Sequence, residues 1–348
     1  MAAEAGQVEA VGPRRPYGEC LEVQLTLECP LHCRHCIVDA APGDGCTPEW
    51  PADLLQALPA CRSLRAVRIS GGEPFADLQV LGQVVARCRD LGLGVHVVTS
   101  AFWATSPRVA RDILDGLPGL THLDVSTDVY HLEHVPLAHV RSAVSAGLEG
   151  GLFVVLRVCT GADEAIPAEV AAAFQGETHE RFTVAAQPVF ARGRASRLGL
   201  RADAVPWREL PLAACASCAL PLVLCDGTVL ACNNPVRRAP GDPLRLGAIG
   251  HTPLARMLAA ADGNYLVHAL RLWGPRGILE MLGECEPLRA LAGDFPRLDP
   301  CALCQALLGA PGIAAAVSDW LAQPEIRRAL GLGRALQFGE TAMLAGAP

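Results

Sequence analysis

The chain has 348 residues, of which 51% are hydrophobic and 19% are charged. This composition supplies a buried core and excludes a disordered chain. The formal net charge is −7, so there is no overall basic field to attract nucleic acid, and we expect no nucleic-acid partner. All 29 basic residues are arginine, which excludes a phosphate-loop lysine, a Schiff-base lysine and a lysine general base.

Cysteine is unusually abundant, with 15 residues in the chain. Residues 1–16 lack the continuous apolar stretch of a secretory signal, and no window reaches the roughly 18 apolar residues of a membrane span. We therefore expect a cytoplasmic protein without a membrane partner. In a reducing compartment, many cysteines indicate metal or redox chemistry more often than disulfides.

The first half of the chain alternates short apolar runs with amphipathic segments. The runs predict buried strands at 20–28, 64–70, 93–100, 121–127, 151–158 and 181–187. The segments between them predict helices at 48–59, 77–91, 106–117, 136–147 and 165–175. Such alternation predicts an α/β fold with a parallel sheet, either open and doubly wound or a complete or partial barrel.

This rhythm ends near residue 190, and we place a boundary at 190–210. The Asp226-Gly227 dipeptide between two apolar runs predicts a β-hairpin over 222–232. Helical patterns return at 252–271, 274–292, 301–309 and 313–329. We expect a flexible N-terminus over 1–16 and a loose C-terminal tail over 331–348.

Three cysteines, Cys29, Cys33 and Cys36, fall within eight residues just after the first predicted strand. Thiolates this close in sequence can surround one soft metal centre. A structural zinc site needs four ligands, and the next cysteine, Cys46, lies in a Gly/Pro loop. Three cysteines without a fourth favour a [4Fe–4S] cluster with one iron left open.

The C-x3-C-x2-C motif, followed by Gly71-Gly72-Glu73-Pro74 after the second strand, resembles the radical S-adenosylmethionine (SAM) superfamily. The resemblance covers about residues 20–190 and implies a partial (β/α)6 TIM-type barrel, with the radical SAM core over 17–195. Catalytic groups of barrels collect at the C-terminal ends of the strands, which is where these motifs fall.

The resemblance implies that the open iron binds the methionine part of SAM, whose amino group is held by backbone groups at Gly71, Gly72 and Glu73. One electron from the cluster would cleave SAM to methionine and a 5′-deoxyadenosyl radical, which abstracts hydrogen from a substrate C–H bond. The full set of expected SAM contacts is Gly71, Gly72, Glu73, Pro74, Thr99, Ser126, Asp128 and Arg157.

Three of these residues have specific expected roles. Ser126 and Asp128 would bond the ribose hydroxyls, unless they only form a polar turn at the end of a strand. Arg157 would bind the SAM carboxylate, because a charge in an apolar strand needs an anionic partner; a structural ion pair is the alternative.

In a second cysteine group after residue 196, Cys215 and Gly227-x4-Cys232 bracket the predicted hairpin, and Cys301-x2-Cys304 opens a later predicted helix. This group resembles the twitch domain, the shorter relative of SPASM, which implies a small C-terminal α+β domain over 196–330 holding one auxiliary [4Fe–4S] cluster. The implied ligands are Cys215, Cys232, Cys301 and Cys304.

Cys218, Cys225 and Cys285 have no place in the twitch pattern, and the absence of any cysteine after Cys304 favours one auxiliary cluster over two. The two C-x2-C pairs, Cys215/Cys218 and Cys301/Cys304, leave a closed zinc site open as the alternative. Gly193-Arg194-Ala195 resembles a stretch found after the sixth strand in superfamily members that carry such a domain.

Candidate catalytic residues are His131, Cys159 and Cys285. His131 would line the substrate pocket or act as an acid or base, although a solvated loop is the alternative. Cys159, at the end of the fifth strand, and Cys285 are candidate hydrogen-atom donors, with small buried hydrophobes as the alternative.

These features leave three hypotheses. The first is an enzyme that forms a crosslink, a thioether or an epimerised residue in a ribosomal peptide precursor. The second is a small-molecule radical dehydrogenase or rearrangement enzyme, for example in aminocyclitol oxidation. The third, a non-catalytic iron–sulfur electron carrier, leaves the Gly-Gly-Glu-Pro motif without a purpose. Either enzyme would need an electron donor such as flavodoxin or ferredoxin.

Overall fold

The computed structural model of the protein describes residues 16–45, 50–160, 165–199, 204–234, 241–289, 291–297, 299–341 and 343. Its strands are β1 (Cys20–Thr26), β2 (Ala66–Gly71), β3 (Gly94–Thr99), β4 (His122–Ser126), β5 (Phe153–Thr160), β6 (Phe182–Pro188), β7 (Ala204–Pro206), β8 (Leu222–Val223), β9 (Thr228–Leu230), β10 (Arg245–Ala248) and β11 (Asp294–Pro296).

The helices are α1 (Trp50–Ala57), α2 (Leu78–Asp90), α3 (Pro107–Asp115), α4 (Leu137–Glu149), α5 (Ala168–Ala173), α6 (Leu254–Asp262), α7 (Tyr265–Leu282), α8 (Glu286–Arg289), α9 (Pro300–Gly309), α10 (Pro311–Ala322) and α11 (Pro324–Phe338). Cys46, residues 1–15 of the predicted N-terminal segment, and most of the residues after Phe338 lie outside the described residues.

One nine-stranded sheet organises the molecule, with the order β10-β9-β8-β1-β2-β3-β4-β5-β6. Strands β1 to β6 are parallel neighbours in chain order, and helices α1 to α5 connect them in sequence. This arrangement confirms the predicted α/β class and parallel sheet, and each predicted strand and helix in the first half overlaps an observed one. Helix starts follow local capping chemistry: the Asp77 carboxylate accepts from two backbone N–H groups at the start of α2.

The parallel strands differ from the sequence prediction in the character of their two faces. The apolar runs predict strands that are buried on both faces of the sheet. In the structure, only one face packs against the helices in the apolar core, and Leu21 and Val23 of β1 lie on that face. The alternate positions, such as Glu22 and Gln24, line a cavity. Because side chains alternate along a strand, this face collects the polar residues of the strands.

The second half of the chain continues the same sheet. β8 and β9 form the predicted hairpin, turning at Asp226-Gly227 where Gly227 has φ +78°, and β8 pairs in parallel with β1. The predicted helix over 252–271 is two helices, because Asn264 caps a new one with its side chain. The predicted interruption near residue 273 is a kink inside α7, at Gly274 with φ +66° and Pro275.

The predicted tail boundary at residue 331 falls inside α11, whose inner face is buried at Leu330, Arg334 and Phe338. Glu340 just beyond it accepts hydrogen bonds from Arg271 and Arg334, so the chain here is tied to α7. Among the described residues, no single helix is long and apolar enough to cross a membrane; α9 and α10 meet that test only together, across a 92° bend.

Candidate active site

A cavity of about 390 Å³ lies at the C-terminal ends of the parallel strands. Its walls come from five groups of residues: the first cysteine loop, the ends of the strands, the segment after β6, the region after β9 and the start of α9. Of the predicted site residues, those that line it are Cys29, Cys33, Cys36, Gly71, Gly72, Thr99, Ser126, His131, Arg157, Cys159 and Cys301.

The cavity brings the first cysteine group to one wall. Burial raises the pKa of Cys29 to about 11 and that of Cys33 to about 12, and the neighbouring thiols add to both shifts, while Arg194 opposes them. The metal-free thiols of Cys29 and Cys33 are therefore neutral at physiological pH, and a bound metal would have to displace their protons.

These residues fit a centre larger than a single zinc ion. Zinc–sulfur bonds of about 2.3 Å in a tetrahedron place sulfurs about 3.8 Å apart. Within the described residues, the groups of three ligand atoms that lie within 4.8 Å of one another include none made of cysteine sulfurs. None of the fourteen described cysteines forms a disulfide. Three thiols that face a cavity, with no fourth cysteine beside them in the part of the chain that the structure describes, fit a cluster with one open iron.

The glycines that follow β2 allow a close approach of two chain segments. A Cβ on Gly71 would lie 2.3 Å from the carbonyl oxygen of Thr26, and one on Gly72 would lie 2.2 Å from that of Glu28. Gly71 also has φ +130°, which disfavours other residues. The backbone N–H of Gly72 donates to Thr26. The motif therefore presses the end of β2 against the chain leading to Cys29.

Glu73 and Pro74 are buried and are not among the residues that line the cavity, and their contact with SAM stays a prediction. The Glu73 carboxylate is 1% exposed and accepts hydrogen bonds from the hydroxyls of Thr99 at 2.8 Å and Ser100 at 2.6 Å. Burial raises its pKa above the ordinary value, and these hydrogen bonds limit the rise. The Thr99 hydroxyl also accepts from the Trp103 indole. These residues tie the ends of β2 and β3 together.

A charged network crosses the polar face of the sheet. Asp124 accepts from Arg157 Nε at 2.8 Å and from Arg68 Nη2 at 3.1 Å, and Arg68 also pairs with Glu22 at 3.4 Å. Burial alone would raise the pKa of Asp124, but the two arginines outweigh it and hold the pKa below its ordinary value. Arg157 thus has the structural ion pair that the sequence left open as an alternative, and it also lines the cavity.

Asp128 is fully buried, and its expected contact with the SAM ribose stays a prediction. Its carboxylate accepts from His131 Nδ1 at 2.9 Å and from the backbone N–H groups of Tyr130 and His131, and it lies 3.3 Å from His35 Nε2. Burial raises its pKa, but the two histidines more than reverse that shift. Asp128 therefore orients His131, which itself lines the cavity.

His35, Asp128 and His131 offer three ligand atoms within 4.8 Å of one another, a spacing that would suit a metal ion. A metal-bound histidine usually donates its second ring nitrogen to an acceptor, but the buried Nδ1 of His35 has no partner among the described residues. The Asp128 carboxylate already accepts from the backbone as well. The group is better explained as a carboxylate that orients two histidines.

Cys159 lies at the end of β5 with its thiol in the cavity wall. Burial, followed by the nearby charge of Asp128, raises its pKa to about 12, so the thiol keeps its proton. The Gln187 side-chain amide donates to the sulfur at 3.3 Å. Cys285 packs against a separate hydrophobic core formed mostly by the second half of the chain and does not line the cavity, and its catalytic role stays a prediction.

The second cysteine group includes a residue outside the predicted ligand set. Cys218, which had no place in the predicted pattern, is in side-chain hydrogen-bond contact with Cys215 and Cys232. This contact lowers the pKa of Cys215 and raises that of Cys218. Cys301 lies close enough to Cys215 and Cys232 for their charges to raise its pKa.

Cys304, the remaining predicted ligand of this group, lies one turn after Cys301 on α9. It is buried in the same hydrophobic core as Cys218 and Cys232.

Sequence reasoning missed most of the polar face and, in the segment after β6, Arg192, although it singled out Gly193-Arg194-Ala195. Glu22, Arg68 and Asp124 occupy alternate positions in otherwise apolar strands, and that period of two was the signal for an inward polar face. Arg192 and Arg194 also line the cavity. Arginines among small residues in a loop give no comparable signal.

No protein-family model matches the chain. Its fold is similar to that of anSMEcpe with bound AdoMet and Cp18Cys peptide, with a TM-score of 0.50 and 12% identity over 86% of this chain and 99% of that one. BtrN in complex with AdoMet and 2-DOIA gives a TM-score of 0.41 and 15% identity over 74% and 88%.

SuiB of Streptococcus suis bound to its precursor peptide SuiA gives a TM-score of 0.40 and 12% identity, over 70% of this chain and 65% of SuiB. The present chain thus spans about two thirds of SuiB. The similarity to anSMEcpe shows a shared fold.

Proposed function

We propose that the protein is a radical SAM enzyme that modifies a peptide substrate. The observation that carries the proposal is the placement of Cys29, Cys33 and Cys36 on one wall of a cavity, beside the close approach at Gly71 and Gly72. Further support comes from the fold shared with a solved structure that holds both AdoMet and a peptide. When bound, the cluster and SAM supply a carbon-centred radical that removes a hydrogen atom from a substrate C–H bond.

The residues of the cavity bind and orient the two ligands. Ser126 at the end of β4 and Arg157 within β5 present a hydroxyl and a cation to the polar groups of SAM. Asp124 holds the Arg157 guanidinium in place through Nε. Gly71 lets the end of β2 pack directly against the backbone of Thr26, beside the first cysteine loop.

Two side chains are placed to handle hydrogen on the substrate. His131 donates its Nδ1 proton to Asp128, which leaves Nε2 able to accept a proton at the cavity. The protonated thiol of Cys159 is a hydrogen-atom donor of the kind that an epimerisation needs. A reaction whose product loses two hydrogens would use His131 as the proton acceptor. A reaction whose product has unchanged mass would use Cys159 as the hydrogen-atom donor.

A second cluster would be held by cysteines after residue 196. Cys215, Cys218, Cys232 and Cys301 are the ligand set that the contacts favour, with Cys304 available one turn along α9. Cys301 also lines the cavity, so an auxiliary cluster there would stand beside the substrate. That position suits an acceptor for the electron that a substrate radical gives up during oxidation.

A small-molecule substrate is the second candidate. The cavity volume of about 390 Å³ lies near the lower end of the roughly 300–1,000 Å³ typical of small-ligand sites. Since SAM must share that space, a small metabolite fits it more easily than a long peptide segment does. A peptide would have to enter with only one or two side chains.

The test is anaerobic reconstitution with iron and sulfide, followed by reduction and measurement of 5′-deoxyadenosine formed from SAM. We expect the wild-type protein to form it and Cys33→Ala to lose the activity. Cys61→Ala, which removes a buried thiol outside both cysteine groups, should keep it. If Cys33→Ala forms 5′-deoxyadenosine as fast as wild type, the catalytic assignment is wrong. A wild-type protein that binds iron and forms none is an electron carrier.

Candidate peptides and small metabolites are then supplied as substrates, and the products are weighed by mass spectrometry. A loss of two hydrogens identifies a crosslink, a thioether or a dehydrogenation. An unchanged mass in water, with one deuterium gained in heavy water, identifies epimerisation. Modification of metabolites alone would replace the peptide proposal with the small-molecule one.

A further inference from the structure

The segment Arg192-Gly193-Arg194, which follows β6, hydrogen-bonds the first cysteine group and residues next to the second. Its two arginines line the cavity together with Cys33 of the first group and Cys301 of the second. The roles proposed above for SAM and substrate do not use this segment. The hydrogen bonds of this segment reach two separate parts of the chain, the first cysteine loop and the residues beside the second cysteine group.

Arg194 holds the first cysteine loop. Its Nε donates to the carbonyl oxygen of Cys33 at 3.0 Å, and its backbone N–H donates to the carbonyl oxygen of Cys36 at 2.9 Å. The side chain is only 9% exposed, so the bond from its charged group is protected from water. Two of the three cysteines are thereby fixed by a residue about 160 positions later in the chain.

Gly193 makes that contact possible. It has φ +52°, and a Cβ built on it would lie 2.6 Å from the carbonyl oxygen of Cys36 and 2.8 Å from the carbonyl carbon of Ile37. Both of these atoms are backbone, so a side chain here would push the cysteine loop away.

Arg192 acts on the second group indirectly, through Asp299 and Asn234. Its Nε and Nη2 donate to the two carboxylate oxygens of Asp299 at 3.1 and 2.6 Å, and its Nη1 donates to Asn234 at 2.9 Å. Asp299 in turn accepts from the backbone N–H of Cys301 at 3.1 Å, which caps α9. Asn234 lies two residues after Cys232.

We propose that Arg192-Gly193-Arg194 is a positioning clamp that holds the two cysteine groups in a fixed relation to each other. In the proposed function, which this inference deepens, the clamp sets the separation of the two clusters across the cavity. Arg194 places its positive charge beside the first cluster and Arg192 places one beside the second. Since a cluster becomes more negative on reduction, each neighbouring cation favours the reduced form.

The first test uses metal-free protein and hydrogen–deuterium exchange read by mass spectrometry. We expect Arg194→Gln to speed exchange in residues 31–37 about tenfold or more, the factor expected when a charged hydrogen bond is lost, and to leave residues 299–305 unchanged. Arg192→Gln should do the reverse. Arg197→Gln, an exposed arginine in the same turn, should change neither. Equal effects of both variants on both segments, or no effect, would overturn the clamp.

The second test measures the reduction potential of each cluster after reconstitution. Arg194→Gln should shift the first cluster to a more negative potential and leave the second unchanged, while Arg194→Lys, which keeps the charge, should restore it. If the reduction potential of the first cluster changes with the exchange rate of the cysteine loop and not with the charge at position 194, the electrostatic role proposed for Arg194 is wrong. If wild-type protein binds no cluster, the proposed function fails, while the exchange measurement still decides whether the clamp exists.

Discussion

Replacing Asp124 by Asn should destabilise the fold strongly, because Asp124 joins the two arginines of the polar sheet face. The side chain of Asp124 is 6% exposed and accepts from Arg157 at 2.8 Å and Arg68 at 3.1 Å. The variant keeps the shape but leaves Arg157 without its carboxylate. Removing one partner of a buried ion pair costs about 3–5 kcal/mol, and we expect the lower end, since the Asn oxygen still accepts one bond.

The assay is urea unfolding followed by circular dichroism at pH 7. The control is Arg111→Gln, which breaks an ion pair with Glu149 whose partners are about half exposed, and it should cost less than about 1 kcal/mol. The ion pairs depress the pKa of Asp124, so the gap between wild type and Asp124→Asn should shrink as pH falls below about 4. A cost no larger than that of Arg111→Gln would refute the network.

Two further predictions concern stability. His268 is buried, and burial is the main cause that lowers its pKa to about 4. The free energy of unfolding of wild type should therefore fall by about 3 kcal/mol as pH falls from about 6.5 to 4, and that of His268→Gln should not. Urea unfolding curves of wild type that match at the two pH values would contradict this. Gly72→Ala should destabilise by about 1–3 kcal/mol and lower iron binding by the first cysteine group, because its Cβ meets the backbone at Glu28. The control, Gly82→Ala, has room within α2 and should stabilise by about 0.5–1 kcal/mol; equal behaviour of the two variants in iron analysis and unfolding would count against the close approach.

The sequence was sufficient for the order of strands and helices, because apolar runs and helical segments alternate at a spacing that only parallel units satisfy. It was not sufficient for contacts between strands. Arg68 and Asp124 lie 56 positions apart, and their pairing depends on where β2 and β4 settle across the sheet. From the sequence alone, Arg157 therefore had no visible anionic partner, whereas in the structure it pairs with Asp124.

The dependence on contacts between distant segments also explains which cysteines, and which contacts of Asp128, the sequence could predict. Spacing places Cys29, Cys33 and Cys36 on one short loop, which needs no tertiary information. The second group depends on how the hairpin and α9 meet, so Cys218 could not be assigned from spacing alone. Asp128 carries a polar strand-end pattern, but its orientation is decided by the two histidines that approach it.

The most direct test of the account is an electron paramagnetic resonance measurement on the first cluster alone. Replacing Cys215 and Cys301 by Ala should leave a protein that binds about four irons per chain and whose reduced signal changes when SAM is added. That change would report a ligand on the open iron held by Cys29, Cys33 and Cys36. A reduced cluster whose signal is the same with and without SAM, or a protein that binds no iron, would contradict the account.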